Sequence, residues 1–525
     1  MNSHVTVLPV ILPLIAAIIL FIRRGPGGGK TLLATWAGVG WAIVELLREI
    51  MTHGPRRYQI GGWGVPLGID YYLDGTGIIM LAMTAGLLST IAWYSIAYFR
   101  NSPAGVRDHY WPLLLLVWAS LNNLFLTGDI FNMYVTLELL GLLSVGLIAL
   151  AGTPDAYAAA LRYLLAALAG SMFYLLGVAM VYSSSGSLDW VSLRVTLVGG
   201  PTAVIALGLV TSGLMLKSAV FPLHFWLPQA HADAPAPVSA LLSSLMIKAS
   251  FYIALRMWLW VFPSSIQTHL AGPLLGFLGA GAIIYGSLQA LHQQRLKLLI
   301  AYSTVAQLGY LFVFFALSLH PDSTVATLQA VVYFAVSHAF AKAALFMAAG
   351  VVMHVYGHDR IDELEGGAEK LPAVIFAFGV AGVSLIGLPP SGGFVGKYLL
   401  IGAAISHGQW FWALILTIGG LLTAAYLFRV LRKLLTNSPD RDQSAGAPEG
   451  HAPPPGLVWS TWATAMTALL LGLLAFHPLQ VISIGAPGAG LAAPGQAIPG
   501  QVIPDQATPV PVVPVPAAPV QEDVK

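Results

Sequence analysis

Five charged residues stand where an apolar chain has least use for charge. Glu138 lies in "FNMYVTLELLGLLSVGLIAL". Lys217 and Lys248 sit near the ends of "LKSAVFPLHFWLPQAHADAPAPVSALLSSLMIKAS". Lys342 lies in "SHAFAKAALFMAAG" and Lys397 in "GLPPSGGFVGKYLL". A charge at the centre of a membrane helix costs about 2.5–3.5 kcal/mol on insertion scales, so four such lysines amount to roughly 10 kcal/mol. Long stems let lysines near helix ends snorkel to water, but Lys217 and Lys248 lie deep in their apolar runs. Burial disfavours an ammonium ion and a nearby carboxylate restores it. A lysine whose carboxylate partner can be drawn away is therefore a proton carrier with adjustable affinity.

Other polar residues thread between these. His338 and Lys342 are four apart, hence on one helix face. His231 and Asp233 follow the first apolar run of the quoted stretch, placed either to take up protons or to cap the next helix. Ser303, Thr304 and Gln307 in "AYSTVAQLGY" offer partners to water, or hold helices together. Asp129 and Asn132 read as caps of the span that carries Glu138. Each residue has a purely structural alternative: a satisfied core histidine, a cap, a packing ion pair. All five buried charges being structural together is the weaker account.

The elements that hold them are membrane helices. The chain has 525 residues, 57% hydrophobic and 9% charged, whereas soluble domains are about 25% charged. Apolar runs long enough to cross a bilayer as helix recur at roughly 4–22, 30–50, 73–98, 111–127, 130–151, 157–183, 200–229, 236–262, 270–292, 296–318, 325–353, 372–405, 409–435 and 457–482. This predicts an all-α polytopic membrane protein of about 14 spans. The runs at 200–229 and 372–405 are too long and are interrupted, at Pro222 and at "GLPPSGG". Proline removes a backbone donor, and freed backbone groups at membrane depth need protein or water partners. Two broken helices are thus expected at the site.

Arg23, Arg24, Lys30, Arg100, Arg107, Arg162, Arg295, Lys297, Arg360, Lys370, Arg429, Arg432, Lys433 and Arg441 fall in or beside alternate loops. The positive-inside rule makes that side cytoplasmic and, for an even span count, puts both termini outside. The first run lacks a basic residue before it and is followed by Arg23 and Arg24, so it reads as a retained helix. "YQIGGWGVPLGIDYYL" at 58–73 suggests a short outer hairpin. Residues 437–456 read as a flexible inner loop, and the Pro- and Ala-rich stretch at 483–525 as disordered. With no cysteine, thiolate zinc and cysteine-ligated iron–sulfur sites are excluded. Nothing suggests nucleic-acid binding: the net charge is only +2, and "GPGGGK" lacks phosphate-loop spacing.

"TGDIFNMYVTLELL", the Lys217–Lys248 stretch, "AYSTVAQLGY", "SHAFAKAALFMAAG" and "GLPPSGGFVGKYLL" occur in this order. Together they resemble the antiporter-like membrane subunits shared by respiratory complex I, Mrp-type Na⁺/H⁺ antiporters and membrane-bound hydrogenases, over about residues 70–435. "GDIFNMYV" is closer to the Mrp and hydrogenase branch, and "FPLHFWLPQAH" leans toward hydrogenase-like members. The resemblance implies two inverted five-helix repeats, each with a broken helix. It divides the chain into N-terminal helices (1–110), repeats at 111–262 and 263–436, and a last helix (457–482). It also implies a proton-translocating subunit, with two half-channels joined by a buried axis. Glu138 matches the fifth-helix glutamate, Lys217 its broken-helix partner, Lys248 the relay lysine, His338 and Lys342 the eleventh-helix pair, and Lys397 the terminal lysine. In that reading protons enter past residues 223–237, reach Lys248 and pass by Lys342 and His338 to Lys397, while Glu138 sets the affinity of Lys217.

Gln229 stands where the family's loop motif "LPDAH" has an acid, and Lys397 where one complex I paralogue has glutamate. The chain lacks a long lateral helix after its last span, unlike the largest complex I paralogue. Expected partners are other membrane subunits of one complex, the lipid bilayer, H⁺ and in a second reading Na⁺, in the inner (cytoplasmic) membrane. No cofactor or metal is expected in this chain, and any redox step belongs to partners in an NADH:quinone oxidoreductase-like or hydrogenase-like complex. The alternatives are an Mrp-type Na⁺/H⁺ antiporter subunit, an energising subunit of an ion or inorganic-carbon uptake complex, or a passive scaffold.

Overall fold

The computed structural model describes residues 4–23, 28–66, 68–262, 271–318, 324–436 and 452–487. Residues 24–27 of the glycine-rich turn, most of the 437–456 loop and the tail beyond residue 487 lie outside them, as do Arg24 and Arg441, while Gly28 and Gly29 open the second helix instead of forming a turn. The helices are α1 (Leu8–Arg23), α2 (Gly28–His53), α3 (Gly75–Tyr98), α4 (Ala104–Leu126), α5 (Ile130–Ala149), α6 (Pro154–Ser185), the short α7 (Trp190–Thr196), α8 (Pro201–Lys217) and α9 (Leu227–Asp233). Then come α10 (Ala236–Val261), α11 (Ala271–His292), α12 (Leu296–Leu317), α13 (Thr324–Tyr356), α14 (Pro372–Ile386), α15 (Gly392–Ser406), α16 (Trp410–Leu435), α17 (Pro455–Leu473) and α18 (Phe476–Ile482).

Eleven helices among the described residues are long and apolar enough to cross a membrane. Three further stretches expected to span fall outside that group for visible reasons. Helix α4 carries Arg107, Asp108 and His109 in its first turns and Asn122 and Asn123 near its end. The other two are interrupted, as α8 with α9 and as α14 with α15. The last expected span also stops short, at Leu473, and resumes as α18.

Helices α4 to α10 form one run of five main elements whose fourth is broken, and α11 to α16 form a second run with the same order of elements. The burial pattern places α10 and α13 at the centre, with α12 nearly as enclosed. A helix that is apolar all round belongs inside a bundle, and these three carry most of the polar candidates.

Each interruption is stabilised locally. Pro13 inside α1 leaves the Pro9 carbonyl without its helical donor, and the Asn122 amide of α4 donates to it at 2.6 Å. Helix α8 stops where Ala219 takes φ 51, and the Trp226 indole donates to the freed Leu216 carbonyl at 2.9 Å. Helix α14 ends at Gly387 with φ 89, a left-handed turn that favours glycine. A Cβ there would stand 2.7 Å from Lys397 Cδ. Helix α10 carries π-helical turns at Leu242–Met246 and Met257–Val261.

The expected outer hairpin forms: β1 (Arg56–Gln59) pairs antiparallel with β2 (Asp70–Leu73), Arg56 opposite Leu73. Arg57 bridges Asp70 at 3.6 Å and also bonds Asp189, which N-caps α7.

Candidate functional site

Glu138 and the four lysines lie on α5, α8, α10, α13 and α15 respectively, the lysines buried and Glu138 partly exposed. Lys217 is the last residue of α8, and its Nζ donates to Glu138 Oε1 of α5 at 2.9 Å. Close helix approach makes the pair possible: a Cβ on Gly170 of α6 would lie 2.9 Å from Lys217 Cγ and 2.8 Å from the Gly213 carbonyl. Glu138 keeps 21% of its side-chain surface exposed, on the outside of the bundle, whereas Lys217 is buried. A cavity of about 20 Å³ adjoins Lys217 and is bordered by Tyr163, Trp226 and Ser250, enough for roughly one water. Across it, Ser218 in the break donates to Ser250 of α10 at 2.9 Å.

Lys248 follows the first π-helical turn. Widening a helix there leaves a carbonyl without its ordinary donor. Lys248 Nζ donates to that of Ser243 at 2.6 Å. Ser243 Oγ lies 3.0 Å from Thr304 Oγ1 of α12. On the same turn of α12, Lys342 Nζ of α13 donates to the Ile300 carbonyl at 2.8 Å and to the Ser303 hydroxyl. Ser243, Thr304 and Ser303 thus lie between Lys248 and Lys342, with the Ile300 carbonyl accepting from Thr304, Ser303 and Lys342 alike. Gln307 is turned aside, donating to Thr423 of α16 at 3.0 Å.

His338 is one helical turn from Lys342, fully enclosed, and neither ring nitrogen has a protein partner. Its ring stacks on Phe334 with 5.9 Å between centroids. Lys397 Nζ stands 5.9 Å from the Phe334 centroid on its way to a closer seat, 4.2 Å over Tyr310. It donates to the Leu385 and Ile386 carbonyls at 2.9 and 3.1 Å. These are the orphan acceptors at the end of α14. Lys397 thus closes the second break from within.

His231 lies within electrostatic reach of Lys342 and Lys248 of the row and of Lys297 on the basic side. His231 is buried against Phe346 with both nitrogens unpartnered. Asp233 does not cap α10, which begins at Ala236 with Pro235 before it and no side-chain cap. It accepts from Arg295 at 3.4 Å instead, and Arg295 also holds Asp359 at 3.1 Å. Asp129 does cap α5, accepting from the Asn132 amide at 2.6 Å. Buried polar atoms without partners are uncommon, so the imidazoles of His231 and His338 stand out from the other buried polar groups.

Two features carry no signal in the sequence. Lys297, which looks like a loop cation, is buried at the second position of α12 and donates to the Ala234 carbonyl at 2.5 Å. Arg256 of α10 is wholly buried near the opposite face. It meets Asp74 through two bonds of 2.5 and 2.6 Å, beneath Trp190 and Trp260. Its position near a span end looks ordinary, and its partner is 182 residues earlier.

Comparison with known proteins covers the whole row. A model of the NADH:quinone oxidoreductase/Mrp antiporter transmembrane family matches residues 127–423. The chain is 36% identical to an NADH-quinone oxidoreductase subunit (the one designated N) of Desulforudis audaxviator (strain MP104C), over 82% of this chain and 86% of that one. It is 28% identical to a subunit of a Na⁺/H⁺ antiporter of Bacillus subtilis (strain 168), over 90% and 94%. The Mrp complex of Dietzia sp. DQ12-45-1b contains a chain that superposes with a TM-score of 0.84 at 26% identity, over 95% of this chain and 99% of that one. A chain of an archaeal membrane-bound sulfane sulfur reductase shares the fold, with a TM-score of 0.82 at 24% identity, over 93% and 98%.

Proposed function

Because this chain belongs to the NADH:quinone oxidoreductase/Mrp antiporter transmembrane family, we propose that it is a proton-translocating, antiporter-like subunit of a multi-subunit membrane complex. The observation that carries the reading is the row of four buried lysines, in which, among the described residues, Lys217 alone meets a carboxylate. Lys248, Lys342 and Lys397 donate to neutral oxygens. Carbonyls orient an ammonium without neutralising it, so each of these lysines holds or releases a proton according to the charge beside it.

Protons enter from the basic side by His231 and the break between α8 and α9, and reach Lys248. They pass along Ser243, Thr304 and Ser303 to Lys342, and by water at His338 to Lys397. Glu138 and Lys217 form the control point. Closed, the ion pair holds the Lys217 proton. Glu138 is partly exposed on the flank of α5, beside the exposed Val135, Leu139 and Leu142. A neighbouring subunit's cation can draw it away there. Lys217 then loses its counter-charge and repels the next proton along the row.

In this reading the basic side is cytoplasmic, both termini lie outside the cytoplasmic membrane, and α4 with the two broken helices brings the crossings to fourteen. The five-element runs are the repeats at about 111–262 and 263–436. The partners are other membrane subunits, as in the complexes that hold the relatives, and a redox or second ion site belongs to those subunits.

The Bacillus relative supports a second reading, Na⁺/H⁺ exchange by the assembled complex. A sodium site needs oxygen ligands and negative charge, whereas this row presents four ammonium groups to one carboxylate. The chain itself then serves the proton half. Flux of H⁺ and of Na⁺ into vesicles holding the assembled complex, native against Lys248→Ala, tests this. The variant is expected to stop proton flux; undiminished proton flux at normal assembly would defeat the proposal.

A further inference from the structure

Away from the row, α2, α3 and α4 enclose an apolar groove with about 360 Å³ of free space. It is bordered by Gly29 and Trp36 on α2, by Ala92 and Ile96 on α3, and by Leu114 and Trp118 on α4. The α2 border, from Gly29 to Trp36, spans roughly 10 Å of helix rise. It begins in the first turn of α2, at the basic face of the bundle, so the groove occupies one leaflet, whose hydrocarbon depth is roughly 15 Å, half the usual core. The Trp36 indole is satisfied inside the protein, where Nε1 bonds Ser89 and the Ala85 carbonyl.

The mouth is cationic. Lys30 follows the lining residue Gly29, Arg100 lies one turn's length past Ile96, and Arg107 is seven residues before Leu114 on the same face of α4. All three are exposed, and the Arg107 guanidinium donates to the Arg100 carbonyl at 3.4 Å. Asp108 is the one acidic residue in the 99–110 connection.

We propose that this groove holds an acyl chain of an anionic phospholipid, with its phosphate among Lys30, Arg100 and Arg107. Basic clusters beside membrane helices on one leaflet recognise anionic headgroups. A partner helix fits the groove less well. Helix interfaces are built on small residues that let backbones approach, whereas bulky tryptophans stand at the midplane end here. A partner helix would also need a seat through both leaflets.

The test uses the full-length protein, washed in mild detergent and offered equal amounts of phosphatidylglycerol and phosphatidylcholine, with bound lipid counted by native mass spectrometry. Phosphatidylglycerol should be retained over phosphatidylcholine by roughly tenfold or more, given the attraction of each basic residue for an anionic surface. The triple variant Lys30→Gln, Arg100→Gln, Arg107→Gln should bring that ratio close to one. Ala92→Trp, which fills the groove, should release the lipid whatever its headgroup. Equal retention of the two lipids by native protein, an unchanged ratio in the triple variant, or a partner helix seated in the groove of the assembled complex would overturn the proposal. The triple variant alters exposed positions only, so it carries the test even if Ala92→Trp does not fold.

Discussion

Lys217 and Lys248 are both buried ammonium groups, yet one faces a carboxylate and the other a peptide carbonyl. That difference assigns them different tasks, and it predicts different mutants. A buried charge replaced by an apolar side chain of similar volume often leaves stability unchanged or raises it by about 1–4 kcal/mol. Lys248→Met is therefore expected to unfold at the native temperature or above while losing tenfold or more of coupled proton flux. Thermal unfolding and vesicle flux on one preparation check both halves. A variant that loses stability and flux together would mark Lys248 as structural. His338→Phe should likewise keep the fold, since Phe334 already provides a stacking partner, and should slow transfer to Lys397. Unchanged proton flux would remove His338 from the route. These side chains were legible in the sequence because apolar surroundings make any charge conspicuous. Their partners were not, because Ser243, Ile300 and Leu385 contribute backbone oxygens that no residue type announces.

Helices reach the site by being interrupted. The breaks at Pro222 and at "GLPPSGG" were readable from proline and glycine, and the structure shows what they supply: free carbonyls for Lys397 and a turn that seats Lys217. The π-helical turn before Lys248 had no such signal, since "LLSSLMIK" is an ordinary apolar helix by composition. Gly387 tests the second break. With φ 89 and Lys397 Cδ in the place of a Cβ, Gly387→Ala should cost about 1–3 kcal/mol through backbone strain and displace Lys397. Lower thermal stability together with slowed proton flux is the expected pair of results; native values for both would show that the turn is not needed.

Across the whole molecule the two faces are built differently. On the basic face Arg295 joins Asp233 at the end of α9 to Asp359, and Lys297 donates to the Ala234 carbonyl between α9 and α10. On the other, Arg256 and Asp74 tie α10 to the start of α3 under a lid of tryptophans, and the hairpin is pinned by Arg57. Asp74→Asn strips Arg256 of its counter-charge at a fully buried site. Breaking such a pair costs about 3–5 kcal/mol, so the yield of folded protein should fall while flux per folded molecule stays native. A fall in flux per folded molecule would place this pair on the route.

The control pair gives the most direct test of the account. Proton uptake should be measured in vesicles carrying the driven, fully assembled complex, for the native chain, Glu138→Gln, Lys217→Ala and the double variant. Each single variant is expected to lose tenfold or more, at least about 1.4 kcal/mol of coupling. The double variant should be no slower than the slower single one, because both changes remove the same switch. Single variants that assemble normally and pump at the native rate, or a double variant whose loss is the product of the two, would contradict the claim that one ion pair governs proton release along the row.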